Sequence, residues 1–263
     1  MKINPGIKAL AIIASIALLI PISINWFTFL ARIFTDDNET PVNPLEYKIL
    51  TDSTAAVNKC LNLGIDTISI PEKIHIEGNE YTITSIKGQA FLSCRKLTNI
   101  EIPMSVTSIG YSAFRNCSSL ENVDIPASVT SIDSSVFQNC SSLTNIKIPA
   151  SVTNIEFSAF KNCSGLENVD IPASVKKIGD STFNNCSSLK SIKIPMSVKK
   201  IGDSAFRNCS SLKSIKIPAS VISIKKNAFD GCINLDVVIN NSKDDVVVGK
   251  DAFNGCKSVR YND

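Results

Sequence analysis

The chain has 263 residues, of which 44% are hydrophobic and 19% charged, with nine cysteines, one histidine and a formal net charge of +3. That balance excludes wholesale disorder, which needs few apolar residues and high net charge, and a small disulfide-dense scaffold, which needs far more cysteine per residue. A uniformly basic nucleic-acid binder is disfavoured as well, unless the charge is unevenly placed.

Residues 1–34 differ from the rest. Lys2 and Lys8 precede the almost uncharged run Ala9–Leu30, and Asp36, Asp37 and Glu39 follow it. A cationic start and an apolar core predict a signal peptide or a signal-anchor transmembrane helix. The charge bias places the N-terminus on the cytoplasmic side and the remainder outside. Residues 35–44 (TDDNETPVNP) are acidic and carry two prolines, which predicts a linker. Residues 45–90 read as an N-terminal cap built from two β-hairpins. One pairs Glu46–Leu50 with Thr54–Asn58, and the other lies within Ile74–Ile83.

Residues 91–263 repeat. Cys94, Cys117, Cys140, Cys163, Cys186, Cys209 and Cys232 recur every 23 residues, and Cys256 follows after 24. Phe91, Phe114, Phe137, Phe160, Phe183, Phe206, Phe229 and Phe253 keep step, as do the prolines from Pro103 to Pro218. A fixed period in the twenties predicts a solenoid of about eight coils. Within one coil, Val123 and Ile125 alternate with Asn122 and Asp124, which predicts a short inward/outward strand. Pro126 ends its ladder because it has no N–H. Ser128–Ile132 alternates again and predicts a second strand. Ser135–Cys140 has room for one 3₁₀ or helical corner. Stacking then aligns each residue with its counterpart one coil away. The expected fold is thus β-rich, with stacked short parallel strands, turns and short helical corners, preceded by an N-terminal hydrophobic helix.

The unit L-x-x-V-x-I-P-x-S-V-x-x-I-x-x-x-A-F-x-N-C-S-S resembles that of the BspA-like leucine-rich repeat proteins. Leu120, Val123, Ile125, Pro126, Val129, Ile132, Phe137 and Cys140 match it in one turn, and the likeness runs from about Ile68 to Val259. The resemblance implies a cell-surface or secreted adhesin that binds proteins or other cells, with no catalytic residue in the repeats.

The residues themselves suggest no enzyme and no cofactor. Zinc sites need paired ligands close in sequence, and no two cysteines of the ladder stand closer than 23. The ladder reads as stacked, buried apolar thiols. Cys60 stands outside the ladder and is the best candidate for a reactive or exposed thiol. His75 reads as an exposed hairpin residue. Asn116, Asn139, Asn162, Asn185 and Asn208 each fit the N-x-[ST] acceptor pattern, as do Asn38 and Asn240. The repeat asparagines also suit a turn.

Charge is the best functional clue. Residues 95–172 carry five basic and seven acidic groups, net −2, whereas residues 173–226 carry eleven basic and two acidic, net +9. Outward strand positions vary on an otherwise constant frame, at Glu121, Asp124, Lys147, Glu167, Asp170, Lys190, Lys193, Lys213 and Lys216. They are the expected recognition surface. Lys176, Lys177, Lys199 and Lys200 make a second strand basic too. The expected partner is a protein or an anionic glycan on another cell or matrix. The membrane is engaged through residues 9–30 if that segment is retained. Nucleic acid is not expected, because few aromatics are available for base stacking. The competing expectation is a structural surface protein that self-associates.

Overall fold

The computed structural model describes residues 44–262. The predicted segments 1–34 and 35–43, with their hydrophobic helix, lie outside the described residues. No helix among the described residues is long and apolar enough to cross a membrane.

Two hairpins open the described chain. Strand β1 (Leu45–Ile49) pairs antiparallel with β2 (Thr54–Cys60). After the short β3 (Thr67–Ser69), β4 (Lys73–Ile76) pairs antiparallel with β5 (Asn79–Ile86). Their connection is tight because Glu77 and Gly78 both take positive φ, 50° and 81°, as a two-residue turn between twisted strands requires. The hairpins then change partners. The second half of β5 runs parallel to β2 on one side and to Ser108–Ile109 on the other. The cap is therefore continuous with the solenoid and shares its hydrogen-bond ladder.

From β3 onward each coil has two strand-bearing faces and one corner. The first face stacks Thr67–Ser69, Asn99–Glu101, Asn122–Val123, Asn145–Lys147, Asn168–Asp170, Ser191–Ile192, Ser214–Ile217, Asp236–Ile239 and Ser258–Tyr261, all parallel where paired. Register follows the repeat, with Asn145 opposite Asn168 and Asn168 opposite Ser191. The offset shortens to 22 twice, where Val237 pairs with Val259 and, before that, where Ile215 pairs with Val237. There the chain drops one residue between Leu235 and Val237, reading L-D-V where the earlier coil reads L-K-S-I.

The second face is narrower than its sequence pattern predicts. Only Ser131–Ile132 and its equivalents pair, in the order Ser131–Ile132, Asn154–Ile155, Lys177–Ile178, Lys200–Ile201, Ser223–Ile224 and Val247–Val248. The residues before them are drawn into a turn. Val129, Val152, Val175, Val198 and Val221 each donate a backbone N–H to the proline carbonyl three residues back, at 3.0–3.1 Å. The intervening serine takes over the inter-coil bond, Ser151 Oγ donating to the Val129 carbonyl at 2.6 Å and Ser220 Oγ to that of Val198 at 2.9 Å.

The corner departs from expectation. It is neither 3₁₀ nor α-helical, and no helix occurs among the described residues. Two left-handed residues four apart punctuate each corner, such as Ser135 (φ 59°) and Asn139 (φ 63°), or Ser181 (φ 55°) and Asn185 (φ 60°). They turn alternate amides outward along the stack. Ser135, Phe137 and Asn139 N–H groups donate to Phe157, Ala159 and Lys161 of the next coil at 2.8–2.9 Å. Gln138 and Cys140 N–H groups instead close local turns at 3.1 and 3.2 Å. A helix would spend all of these bonds within its own coil. The alternating corner shares them, and every buried backbone group needs such a partner.

The core is a set of ladders. The repeated inward Leu, Val, Ile, Phe and Cys are nearly all buried up to Cys232, with Phe91 through Phe229 fully so, whereas Phe253 and Cys256 of the last coil are half-buried. Consecutive phenylalanine rings stack with centroids 5.1–5.6 Å apart and planes within 13°. Each S–H from Cys117 to Cys256 donates to the carbonyl of the phenylalanine in the preceding coil, at 3.0–3.4 Å. Burial pushes the thiols of Cys117, Cys163 and Cys256 up to about 12, and those of Cys140, Cys186 and Cys209 well above the ordinary value. They are inert packing groups.

Candidate functional site

The nine variable positions all fall on the first face. They form two columns, one within the strand or directly after it and one just before it. The strand column holds Asp124, Lys147, Asp170, Lys193 and Lys216, each between two inward residues. Asp124 bridges to Lys147, Lys147 pairs with Asp170, and Lys216 continues to Val238 and Arg260. The flanking column holds Glu121, Glu167, Lys190 and Lys213, where Glu167 N–H donates to the Thr144 carbonyl and Lys190 N–H to that of Glu167, both at 2.9 Å. Eight of the nine are exposed and Glu167 is half-buried.

Stacking decides the electrostatics. Lys193 and Lys216, like Lys190 and Lys213, hold equivalent positions of consecutive coils, but their strands, Ser191–Ile192 and Ser214–Ile217, lie in separate sheets of the first face. Like charges gathered on one surface repel one another. Of the four lysines only Lys190 has an ion-pair partner among the described residues, Glu167 Oε2 at 2.6 Å, and neither side chain of the pair is buried. An exposed pair of this kind contributes little. The frame therefore carries a basic surface that its own folding does not reward.

Beside these lysines lies an open groove of about 1060 Å³. Ile171, Ile194, Pro195 and Pro218 contribute apolar lining, and Asp170, Lys193 and Lys216 charge. Met196, 68% exposed, lines it as well. The charge count alone does not find Met196. In the repeat this position is Ala127, Ala150, Ala173 and Ala219 in four other coils and Met104 in a fifth.

The second face is basic over two coils, where Lys177 pairs directly with Lys200. Lys199 is exposed beside the half-buried Lys200. Elsewhere, His75 is exposed in β4 with Nε2 3.5 Å from Glu80 Oε2, and Glu80 also binds Lys73 at 2.7 Å. No group of three or more His, Cys, Asp or Glu suited to a metal occurs among the described residues.

The asparagines of the N-C-S motifs form a ladder of their own. Asn139 Nδ2 donates to Asn116 Oδ1 at 2.6 Å, Asn162 to Asn139 at 2.7 Å, Asn185 to Asn162 and Asn208 to Asn185 at 2.8 Å. The nitrogen that a glycan would occupy is thus already committed along the stack.

Two faces of short parallel strands, closed by a regular corner and repeated about every 23 residues, define a leucine-rich-repeat solenoid. A family model described as "BspA type Leucine rich repeat region" matches residues 70–190 and 176–262, in six copies. The chain belongs to the BspA-type leucine-rich repeat family. Among solved structures it is similar to a leucine-rich repeat protein from Bacteroides ovatus, at 32% identity and TM-score 0.77, covering 84% of this chain and 58% of that one. It is similar to the T. pallidum leucine-rich repeat protein at 29% identity and TM-score 0.65, covering 76% and 91%. It also matches a leucine rich cell surface protein from Faecalibacterium prausnitzii at 26% identity and TM-score 0.61, covering 86% and 77%. The chain thus spans little more than half the length of the Bacteroides ovatus protein. No curated protein matches it in sequence.

Proposed function

We propose that this chain is a surface-displayed binding protein whose basic first face engages an acidic partner, either an anionic glycan or an acidic patch on a protein of another cell or matrix. The observation that carries this reading is the stacked set Lys190, Lys193, Lys213 and Lys216, three of which have no ion-pair partner among the described residues. Clustered like charge costs stability where it stands and attracts polyanions from solution. The adjoining groove with Met196 adds apolar contact, so a ligand carrying both anionic and apolar groups fits better than a bare polyanion. Surface display is supported by the family and by the similarity to a leucine rich cell surface protein. An adhesin role follows if the partner belongs to another cell.

Replacing the four lysines with Ser is expected to weaken binding of a sulfated polysaccharide about tenfold or more at low salt, because exposed charges act through a screened field. The melting temperature should hold or rise. Calorimetric titration of wild type and variant, at low salt and at 0.5 M salt, checks this. Equal affinity of the two proteins at low salt would remove the first face from the site. A matching quadruple at Lys176, Lys177, Lys199 and Lys200 separates the two basic faces, and its affinity should fall less.

A further inference from the structure

The isolated Cys60 is buried, and its thiol donates to the Asn62 carbonyl at 3.4 Å, so it is not the exposed thiol that its place in the sequence suggests. The unexplained exposed groups are aromatic instead. Among the described residues only two aromatic side chains are exposed, Tyr111 at 57% and Phe157 at 54%. Both fall in one column. Tyr111, Ser134 and Phe157 each stand three residues before a phenylalanine of the buried ladder, Phe114, Phe137 and Phe160. Their carbonyls accept from Gln89, Ser112 and Ser135 of the preceding coil at 2.9–3.0 Å. The two aromatics are therefore two coils apart, roughly 10 Å on the strand spacing, with the small Ser134 between them. A Cβ at Gly88, the counterpart of Tyr111 one coil back, would come within 2.6 Å of the Tyr111 ring. The bare backbone of Gly88 thus seats that ring on the side away from Ser134. An exposed aromatic ring leaves in water the kind of area that gives interfaces most of their energy.

The residues beside the rings select the charge of what they meet. Asp133 and Glu156 directly precede Ser134 and Phe157, and the Glu156 N–H donates to the Ile132 carbonyl at 2.9 Å, which sets the two carboxylates one coil apart. Neither has an ion-pair partner among the described residues. The corresponding positions in the coils on either side are Gly110 and Gly179, and the strand positions alongside are Ser108, Ser131 and Asn154. The lysines of the second face begin one coil further on, at Lys177.

We propose that this edge is a second binding surface, and that it takes an arginine-bearing segment of a partner protein at Tyr111 and Phe157. A guanidinium is planar, so it lies flat on an aromatic ring while its edge pairs with a carboxylate. Tyr111 and Phe157 supply the rings, and Asp133 and Glu156 the carboxylates. Lysine carries a point charge that meets only one of these demands at a time. A neutral sugar would use the rings and leave both carboxylates unpaired, and an anionic glycan would be repelled by them. The edge is opposite in charge to the four lysines of the first face, and the inference stands whether or not those lysines bind a polyanion.

The test uses the full chain and a dye-labelled peptide of alternating arginine and glycine, with matching lysine and citrulline peptides, read by fluorescence anisotropy at low salt and at 0.5 M salt. The arginine peptide should bind about fivefold or more tighter than the lysine peptide at low salt. The citrulline peptide keeps the shape without the charge and should not bind measurably. Tyr111→Ser with Phe157→Ser should weaken the arginine peptide about fivefold or more. Serine already fills this position at Ser134, so the coil should keep its melting temperature. Phe157→Ser alone, remote from the Gly88 seat, is the second variant should the pair unsettle the coil, and it should weaken binding about twofold or more. Asp133→Asn with Glu156→Gln should weaken binding by a similar factor and flatten its salt dependence. Replacing the four first-face lysines with Ser should leave the arginine peptide bound as tightly or more so. Equal affinity for the arginine and lysine peptides, or wild-type affinity in both aromatic variants, would overturn the assignment.

Discussion

Replacing Phe160 with Ala is expected to destabilise the chain by about 3–5 kcal/mol, the range for truncating a fully buried phenylalanine. Phe160 is stacked on both sides, with ring centroids 5.5 Å from Phe137 and 5.4 Å from Phe183. Its loss leaves a cavity that both neighbours line. It also weakens two inter-coil interfaces at once, and stability in a solenoid is a sum of such nearest-neighbour terms. A mid-stack defect should therefore split the unfolding transition as well as lower it. Phe253→Ala supplies the contrast, because Phe253 is only half-buried and has one stacking neighbour, Phe229. It should cost roughly half as much or less. Guanidinium unfolding followed by circular dichroism compares the two. Equal costs for Phe160 and Phe253 would show that the stack does not act through neighbours.

The second large effect is expected at Asn162. Its amide both donates to Asn139 and accepts from Asn185, at 2.7 and 2.8 Å, and its backbone has φ 61°. Asparagine alone meets both demands. It tolerates the left-handed region, and its side chain presents a donor and an acceptor together, so the chain of bonds continues through it. Asn162→Ala loses both bonds and adds backbone strain, for a cost of about 2–4 kcal/mol. Asn162→Gly keeps the backbone free and loses only the ladder, so it should cost about 1–2 kcal/mol less than Ala. Asn162→Asp keeps the shape but brings an acceptor against Asn139 Oδ1, and should cost at least as much as Gly. If Gly and Ala prove equal, the left-handed backbone contributes nothing at this corner. The ladder ends where Gly231 replaces asparagine, with φ 75°. A Cβ there would overlap Asn208 Oδ1.

Much of this architecture was legible because it is periodic. The recurrence of Phe and Cys every 23 residues requires equivalent environments. Alternation around Val123 and Ile125 names the buried side chains of the first face, and the structure buries both. The columns of the candidate site follow from the same count, since Lys190, Lys193, Lys213 and Lys216 are one period apart in pairs. Local alternation was a weaker guide on the second face. Ser128–Ile132 reads as a five-residue strand, yet the N–H of Val129 turns back to Pro126 and only Ser131 and Ile132 pair. The corner was beyond local pattern altogether. A short S-x-F-x-N-C segment suits a helical turn when seen alone, and nothing within one coil reveals that its amides are needed by the next.

The sequence by itself determined the solenoid, its period, its inward set and the placing of a +9 segment in residues 173–226. Each of these rests on residue type at a fixed spacing, which is local information. Tertiary structure alone decided the alternating left-handed corner, the amide ladder, the groove beside Met196 and the burial of Cys60, whose N–H donates to the Ala90 carbonyl. Each of those depends on which backbone groups of one coil are left over for its neighbour. That depends in turn on satisfying buried hydrogen bonds across coils, a condition that no single stretch of sequence contains.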